Sequence, residues 1–274
     1  AEIASATQVF KGWGLKVVFG ANLHQEDHQF SGTTVQRVSD LQMAMDDESV
    51  KAIFCARGGY GTVKIIDELN FTKFQKKTKW VVGYSDVTVL HNHINQNFAI
   101  ETLHATMPIN FLTHSAGSLE SLKRALFGEQ LNYEFNADQL NRVGATEGEV
   151  VGGNLSIIYS LTGTNSQLET GGKILFIEDL DEYIYHIDRM MMNLKRAGIL
   201  SNLKGLVVGG MSDMNDNAIP YGKTAKEIIF EAVREFNYPI CFDFPAGHLA
   251  DNRALIMGRN AKLTVNESCR LIFD

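Results

Sequence analysis

The sequence predicts an α/β protein in two parts: a parallel sheet covered by helices, followed by a smaller, β-rich mixed α+β part. Three observations carry that prediction. In the first half, short apolar runs alternate with amphipathic helical patterns, which is how a parallel sheet becomes buried on both faces. Two of those runs end in turns, RGGYG and GYSD, at the carboxyl edge where an open α/β sheet binds its ligands. Beyond residue 127 the pattern passes through a polar stretch into strands with fewer helices between them.

Taken in order, residues 1–13 read as a helix with Ile3, Val9 and Phe10 on its apolar face and a stop at Gly14. LKVVFG, residues 15–20, reads as a short strand, and a polar loop with His24 and His28 follows. Residues 35–45 are helical in pattern. KAIFCARGGYG is a buried strand entering a glycine turn, 63–69 a helix, KWVVGYSD a strand and turn, and 87–97 and 119–127 helices. Residues 1–127 are thus expected to form the first domain, 128–148 the connection, and 149–274 the second domain. Within the second, GKILFIED, LKGLVVGG, YPICFDFP, AKLTV and RLIFD read as strands, and 154–161, 187–197 and 224–236 as helices.

Bulk properties exclude several functions. Of the 274 residues 45% are hydrophobic and 21% charged, as in ordinary globular proteins. No apolar run approaches the roughly 18 residues of a membrane span. The net charge is −7, and the basic residues are scattered, which argues against a nucleic-acid partner. Cys55, Cys241 and Cys269 are odd in number, and the first two lie in apolar runs. They read as buried free thiols in a reducing, cytoplasmic compartment. The chain opens on Ala1 rather than Met, so its true start is expected upstream.

Four segments are suited to chemistry. In WVVGYSDVTVL a serine stands at a sharp strand-to-helix turn, its hydroxyl pushed out beside helix N-terminal N–H groups. Val87 occupies the place of the second glycine of G-x-S-x-G, and alone the motif describes a cap at Ser85 or Asp86 more readily than a nucleophile. CARGGYGT lets a backbone approach something closely, as a phosphate cradle, an oxyanion loop or a plain turn; its spacing matches neither nucleotide-binding glycine motif. ILFIEDLDE ends an apolar strand on acids, and Glu178, nearest the strand, needs a partner to offset its desolvation. Asp181 and Glu182 read as caps of the next helix. CFDFPAGH sets His248 in a glycine turn after a core strand, a position suited to proton transfer.

The other histidines fit structural places. His91 and His93 are two apart on a helix and form no metal pair; His104 packs near the sheet; His24 and His28 share a surface loop. The segment from Asp213 resembles a calcium loop, but Ala218 and Thr224 stand where glycine and glutamate belong.

In combination, RGGYG, GYSD, VGGNLS, IEDLDE-x-x-Y-x-IDR and FPAGH-x-x-DN resemble the LD-carboxypeptidase family of serine peptidases, which act on murein tetrapeptides. The motifs occur in the family's order from Cys55 to Arg253. The resemblance implies a flavodoxin-like N-terminal domain beside a smaller β-rich C-terminal one, with the active site between them. It implies Ser85 as nucleophile, Glu178 as orienting acid and His248 as base, a variant of the serine triad. It further implies an oxyanion hole from the backbone N–H groups of Gly58 and Asp86. The terminal carboxylate of a small peptide substrate is expected on Arg57, Arg189 or Arg253, with Asn154 of VGGNLS also in the substrate site. No metal or organic cofactor is implied, and a homodimer is. The family's usual first strand, ending in Ser-Pro, is absent here. Relatives within the family hydrolyse peptide–nucleotide antibiotic conjugates and need an aromatic platform for the base; Trp13 and Trp80 read as structural. A non-catalytic module that holds a cell-wall peptide is the remaining alternative.

Overall fold

The computed structural model describes residues 2–274; the expected helix start at Ala1 lies outside them. In chain order the helices are α1 Glu2–Gly12, α2 Thr34–Asp46, α3 Thr72–Lys76, α4 Thr88–Phe98, α5 Ala116–Leu126, α6 Leu155–Ser160, α7 Ile184–Arg196 and α8 Ala225–Ala232. The strands are β1 Ala52–Phe54, β2 Trp80–Gly83, β3 Thr102–His104, β4 Asn132–Asn136, β5 Gly144–Asn154, β6 Ile174–Leu180, β7 Gly205–Ser212, β8 Ile240–Cys241, β9 Leu255–Met257, β10 Asn260–Val265 and β11 Ser268–Phe273.

Two sheets result. The first has order β1-β2-β3-β9, with β1, β2 and β3 parallel and β9 antiparallel to β3. The second has order β4-β11-β10-β5-β6-β7-β8. It is parallel from β5 to β8 and antiparallel from β5 through β10 and β11 to β4. The α/β class expected from the alternating runs is the class observed. One buried cluster joins the two halves, since Phe10, Val82 and Leu103 share it with Phe176, Val207, Phe244 and Phe273. Separate clusters lie under α7 and α8 and under α2, α3 and α4. Among the described residues no helix is long and apolar enough to cross a membrane.

Three expectations need correcting. Residues 15–20 form no strand: Leu15 and Val17 pack on the shared core, but Val18 and Phe19 face solvent. β-Branched composition suits a pleated surface, yet a strand exists only where a neighbouring ladder takes up its N–H and C=O groups. Residues 63–69 are two 3₁₀ turns, Thr62–Lys64 and Ile66–Glu68, entered from left-handed Gly61 at φ 116°. The polar stretch 128–148 contains β4 and the start of β5. β4 is half-solvated, with Tyr133 buried between exposed Asn132 and Glu134, so its polar face reads as a linker.

Candidate active site

Ser85 follows β2 by two residues and precedes α4 through a 3₁₀ turn, Ser85–Val87. Its φ is 63°, a left-handed conformation uncommon for a residue with a Cβ and typical of functional turns. Gly83 is required beneath it: a Cβ there would lie 2.7 Å from Val87 Cγ2. Val87, the residue that breaks the G-x-S-x-G pattern, thus folds back on the first glycine. Gly58 of RGGYG brings backbone against the serine, because a Cβ on it would sit 3.0 Å from Ser85 Cβ and 3.1 Å from Oγ. Asp86 fixes that loop. Its Oδ2 accepts from the Thr62 N–H at 2.9 Å and the Thr62 hydroxyl at 2.7 Å, and it is buried.

The acid and the histidine come from the second sheet. A register shift between Ile177 and Asp179 interrupts the pairing of β6 with β7. Successive strand residues face opposite sides, and β6 is buried on both of them, so Glu178 and Asp179 are enclosed alike, at 0% and 2% exposed. Glu178 Oε2 accepts from His248 twice, from Nδ1 at 2.7 Å and from the backbone N–H at 3.2 Å. That leaves Nε2 as the ring nitrogen without a protein hydrogen-bond partner among the described residues. Tyr84, next to the serine, packs on the same imidazole with ring centroids 4.9 Å apart. Among the described residues no hydrogen bond joins Ser85 to His248; the ring contact of Tyr84 with the imidazole links the serine segment to the histidine. Catalytic bonds often tighten only with substrate bound.

Electrostatics favour a histidine that holds its proton more firmly than usual. Burial pushes the His248 pKa down, but its hydrogen bond to Glu178, the charge of Glu178 and that of Asp179 outweigh this and raise it. Burial, then the charge of Glu178, pushes Asp179 up to about 7. His104 and His91 are fully enclosed and held neutral: burial drives the first well below its ordinary value and the second to about 4.

Asn154 and Thr88 join the halves at this point. The Asn154 N–H donates to Thr88 Oγ1 at 3.0 Å, and a Cβ on Gly153, at φ 135°, would lie 2.5 Å from that oxygen. Gly153→Ala therefore combines backbone strain with displacement of the helix behind Ser85. A destabilisation of about 2 kcal/mol or more is expected, visible as a fall of several degrees in Tm by circular dichroism.

The structure brings Ser85, Asp86, Gly58, Glu178 and His248 to one edge between the two sheets. Asn154 is 4% exposed; its Nδ2 donates to Asp179 at 2.9 Å and its Oδ1 caps α6 at Ile157 N. Arg57 is exposed beside Gly58. Arg253, on the histidine loop, is engaged with Asp251 at 2.7 Å. Arg189 is on the exposed face of α7, over the Tyr185 ring. The sequence reading missed Tyr84, Asp179 and Thr62. Two of these adjoin residues it singled out, whereas only the fold reveals the Thr62 contact with Asp86. His91 is bonded to Gly83 O at 2.8 Å and His93 to Ser166 at 2.9 Å, structural places as expected.

A serine at a left-handed strand-to-helix turn and an imidazole on an enclosed carboxylate, both at the strand ends of an α/β fold, outline the class: hydrolases with a site between two sheets. The models of the LD-carboxypeptidase N-terminal and C-terminal domains match residues 1–105 and 147–263. A probable murein peptide carboxypeptidase of Bacillus subtilis (strain 168) is 35% identical over 273 residues, covering 94% of this chain and 83% of the relative. The murein tetrapeptide carboxypeptidase of Pseudomonas aeruginosa is 26% identical, over 92% and 85% of the two chains. The crystal structure of muramoyltetrapeptide carboxypeptidase from Oxalobacter formigenes matches with a TM-score of 0.90 at 26% identity, over 99% and 93% of the chains. The microcin C7 self immunity protein MccF matches at 0.88 and 19% identity, over 100% and 90%, a likeness of fold alone. The chain belongs to the LD-carboxypeptidase family and is a peptidase.

Proposed function

We propose that this chain is a serine LD-carboxypeptidase that releases the terminal D-alanine of a murein tetrapeptide, a reaction of cell-wall recycling in the cytoplasm. The observation that carries the reading is the 2.7 Å bond from His248 Nδ1 to the enclosed carboxylate of Glu178, beside the segment that holds Ser85 in left-handed backbone. The murein peptide carboxypeptidases of similar sequence support the substrate class.

In the proposed reaction His248 Nε2 takes the proton of Ser85 Oγ, and the oxygen attacks the carbonyl between an L-configured diamino-acid centre and D-alanine. Glu178 fixes the tautomer that leaves Nε2 free to accept, and stabilises the imidazolium. The backbone N–H groups of Gly58 and Asp86 stabilise the oxyanion; losing one such donor typically costs about 100- to 1,000-fold in kcat. The imidazolium then protonates the leaving amine. A water, deprotonated by His248, releases the tripeptide from Ser85. Arg57, exposed on the glycine loop beside Ser85, is the arginine we assign to the substrate carboxylate, since Arg253 is paired with Asp251 and Arg189 lies over Tyr185. Asn154 serves by holding Asp179 and α6 in place.

Incubating the purified protein with murein tetrapeptide should give D-alanine and tripeptide in equal amounts by chromatography. Turnover of an acyl-sulfamoyl adenosine with the tetrapeptide left intact would instead assign the antibiotic-conjugate activity.

A further inference from the structure

We propose that Asn252 is a positioning residue for the acid–base pair: fully enclosed, it fixes the Gly247 peptide so that the ring and backbone of His248 close on one oxygen of Glu178. The inference rests on the function proposed above and adds to it the residue that sets the geometry of the pair. Asn252 is 0% exposed, and its Oδ1 accepts the Gly247 N–H at 2.9 Å.

Gly247 is the residue on which the arrangement turns. Its φ is 108°, and a Cβ there would lie 2.6 Å from Glu178 Oε2 and 2.8 Å from Glu178 Cβ and Cγ. The glycine backbone is therefore pressed against the carboxyl group. Any rotation of its peptide would withdraw the two His248 donors, Nδ1 at 2.7 Å and N–H at 3.2 Å.

The loop is closed from outside as well. Arg253 N–H donates to Pro245 O at 2.8 Å, and Ser212 Oγ to His248 O at 2.9 Å. Asn252 is the side chain that holds the inside. Two further atoms are enclosed at this place without a protein partner: Asn252 Nδ2, a donor, and Glu178 Oε1, an acceptor. They belong to the two residues that bracket Gly247, and buried polar groups are normally paired.

The groups facing His248 define how its titration reports on this geometry. Glu178 and Asp179 lie at the end of β6, Tyr84 before the nucleophile, His104 on β3 and His114 ahead of α5. Burial holds His104 and His114 below the ordinary histidine range. Asp251, on the base's own loop, is engaged with Arg253 and Ser115. The carboxylates of β6 therefore raise the His248 pKa, and Asn252 keeps the nearer one in contact.

The test measures kcat and KM for D-alanine release across pH in Asn252→Ala and Asn252→Asp, with Ser85→Ala alongside. Asn252→Ala is expected to lower kcat by about 10- to 100-fold, the usual effect of removing a group that orients a functional side chain. KM should stay within about threefold, and the acid limb of kcat should move to lower pH as the pair loosens. Asn252→Asp keeps an acceptor for Gly247 and adds an acidic group, so its limb should move to higher pH. Limbs that coincide with the wild type in both variants, with only a lower Tm, would overturn the proposal. If Asn252→Ala does not fold, an unmoved limb in Asn252→Asp overturns it alone. Failure of the underlying function is distinguished by a wild type that releases no D-alanine, or by Ser85→Ala turning over normally.

Discussion

Replacing Ser85 with alanine is expected to lower kcat for D-alanine release by about four orders of magnitude or more, with thermal stability near that of the wild type. The size follows from the role: without Oγ there is no nucleophile for His248 to activate, and only binding and the oxyanion donors remain. The unchanged stability follows from the backbone. Ser85 has φ 63°, and alanine carries the same Cβ into the same left-handed conformation, so the strain is neither relieved nor increased. Gly58, which approaches within contact of the serine side chain, gains space rather than losing it. Steady-state assay with calorimetry checks both parts. A large fall in Tm would attribute the lost activity to misfolding, and a rate within tenfold of the wild type would remove Ser85 from the mechanism.

The second large effect belongs to Glu178. Glu178→Gln preserves shape but replaces a pure acceptor by an amide that also donates. An amide N–H directed at Nδ1 stabilises the tautomer protonated on Nε2, which cannot take the serine proton. A fall in kcat of about 10⁴-fold is expected by the same logic that applies to triad acids in general. The pH profile should change with it. In the wild type the pair raises the His248 pKa, so the neutral base, and with it activity, appears only above the ordinary histidine value near 6.5. With glutamine the raising interactions of Glu178 are lost while burial still lowers the pKa, so the acid limb moves to lower pH.

Stability follows the opposite sense in pH. A histidine whose folded pKa is raised stabilises the fold fully below its unfolded pKa and loses that contribution as pH rises through the folded value. Glu178→Gln should abolish this loss. Rate and Tm measured between pH 5 and 9 read out both consequences, and a limb that stays in place would show that Glu178 does not govern the base.

The residues of the candidate site were easier to single out in the sequence than the contacts that hold them. Ser85, Glu178 and His248 each end an apolar run at a turn, a pattern visible without knowing which strands are neighbours. The residues that hold them are different in kind. Asp179 is buried because β6 is covered on both faces, and Thr62 reaches Asp86 across 24 residues; neither is encoded in local periodicity. β3 and β9 escape notice at three residues each, and β4 because one face is wet. LKVVFG shows the converse error: strand-forming residues with no ladder to join.

The central claim is that Ser85 is a nucleophile activated by the His248–Glu178 pair. Its most direct test is reaction with a fluorophosphonate, followed by peptide mapping and residual activity. One adduct per chain is expected, on Ser85, formed in step with loss of activity and much more slowly in His248→Ala. An enzyme that keeps full activity with Ser85 modified, or is inactivated by an adduct on another residue, would contradict it.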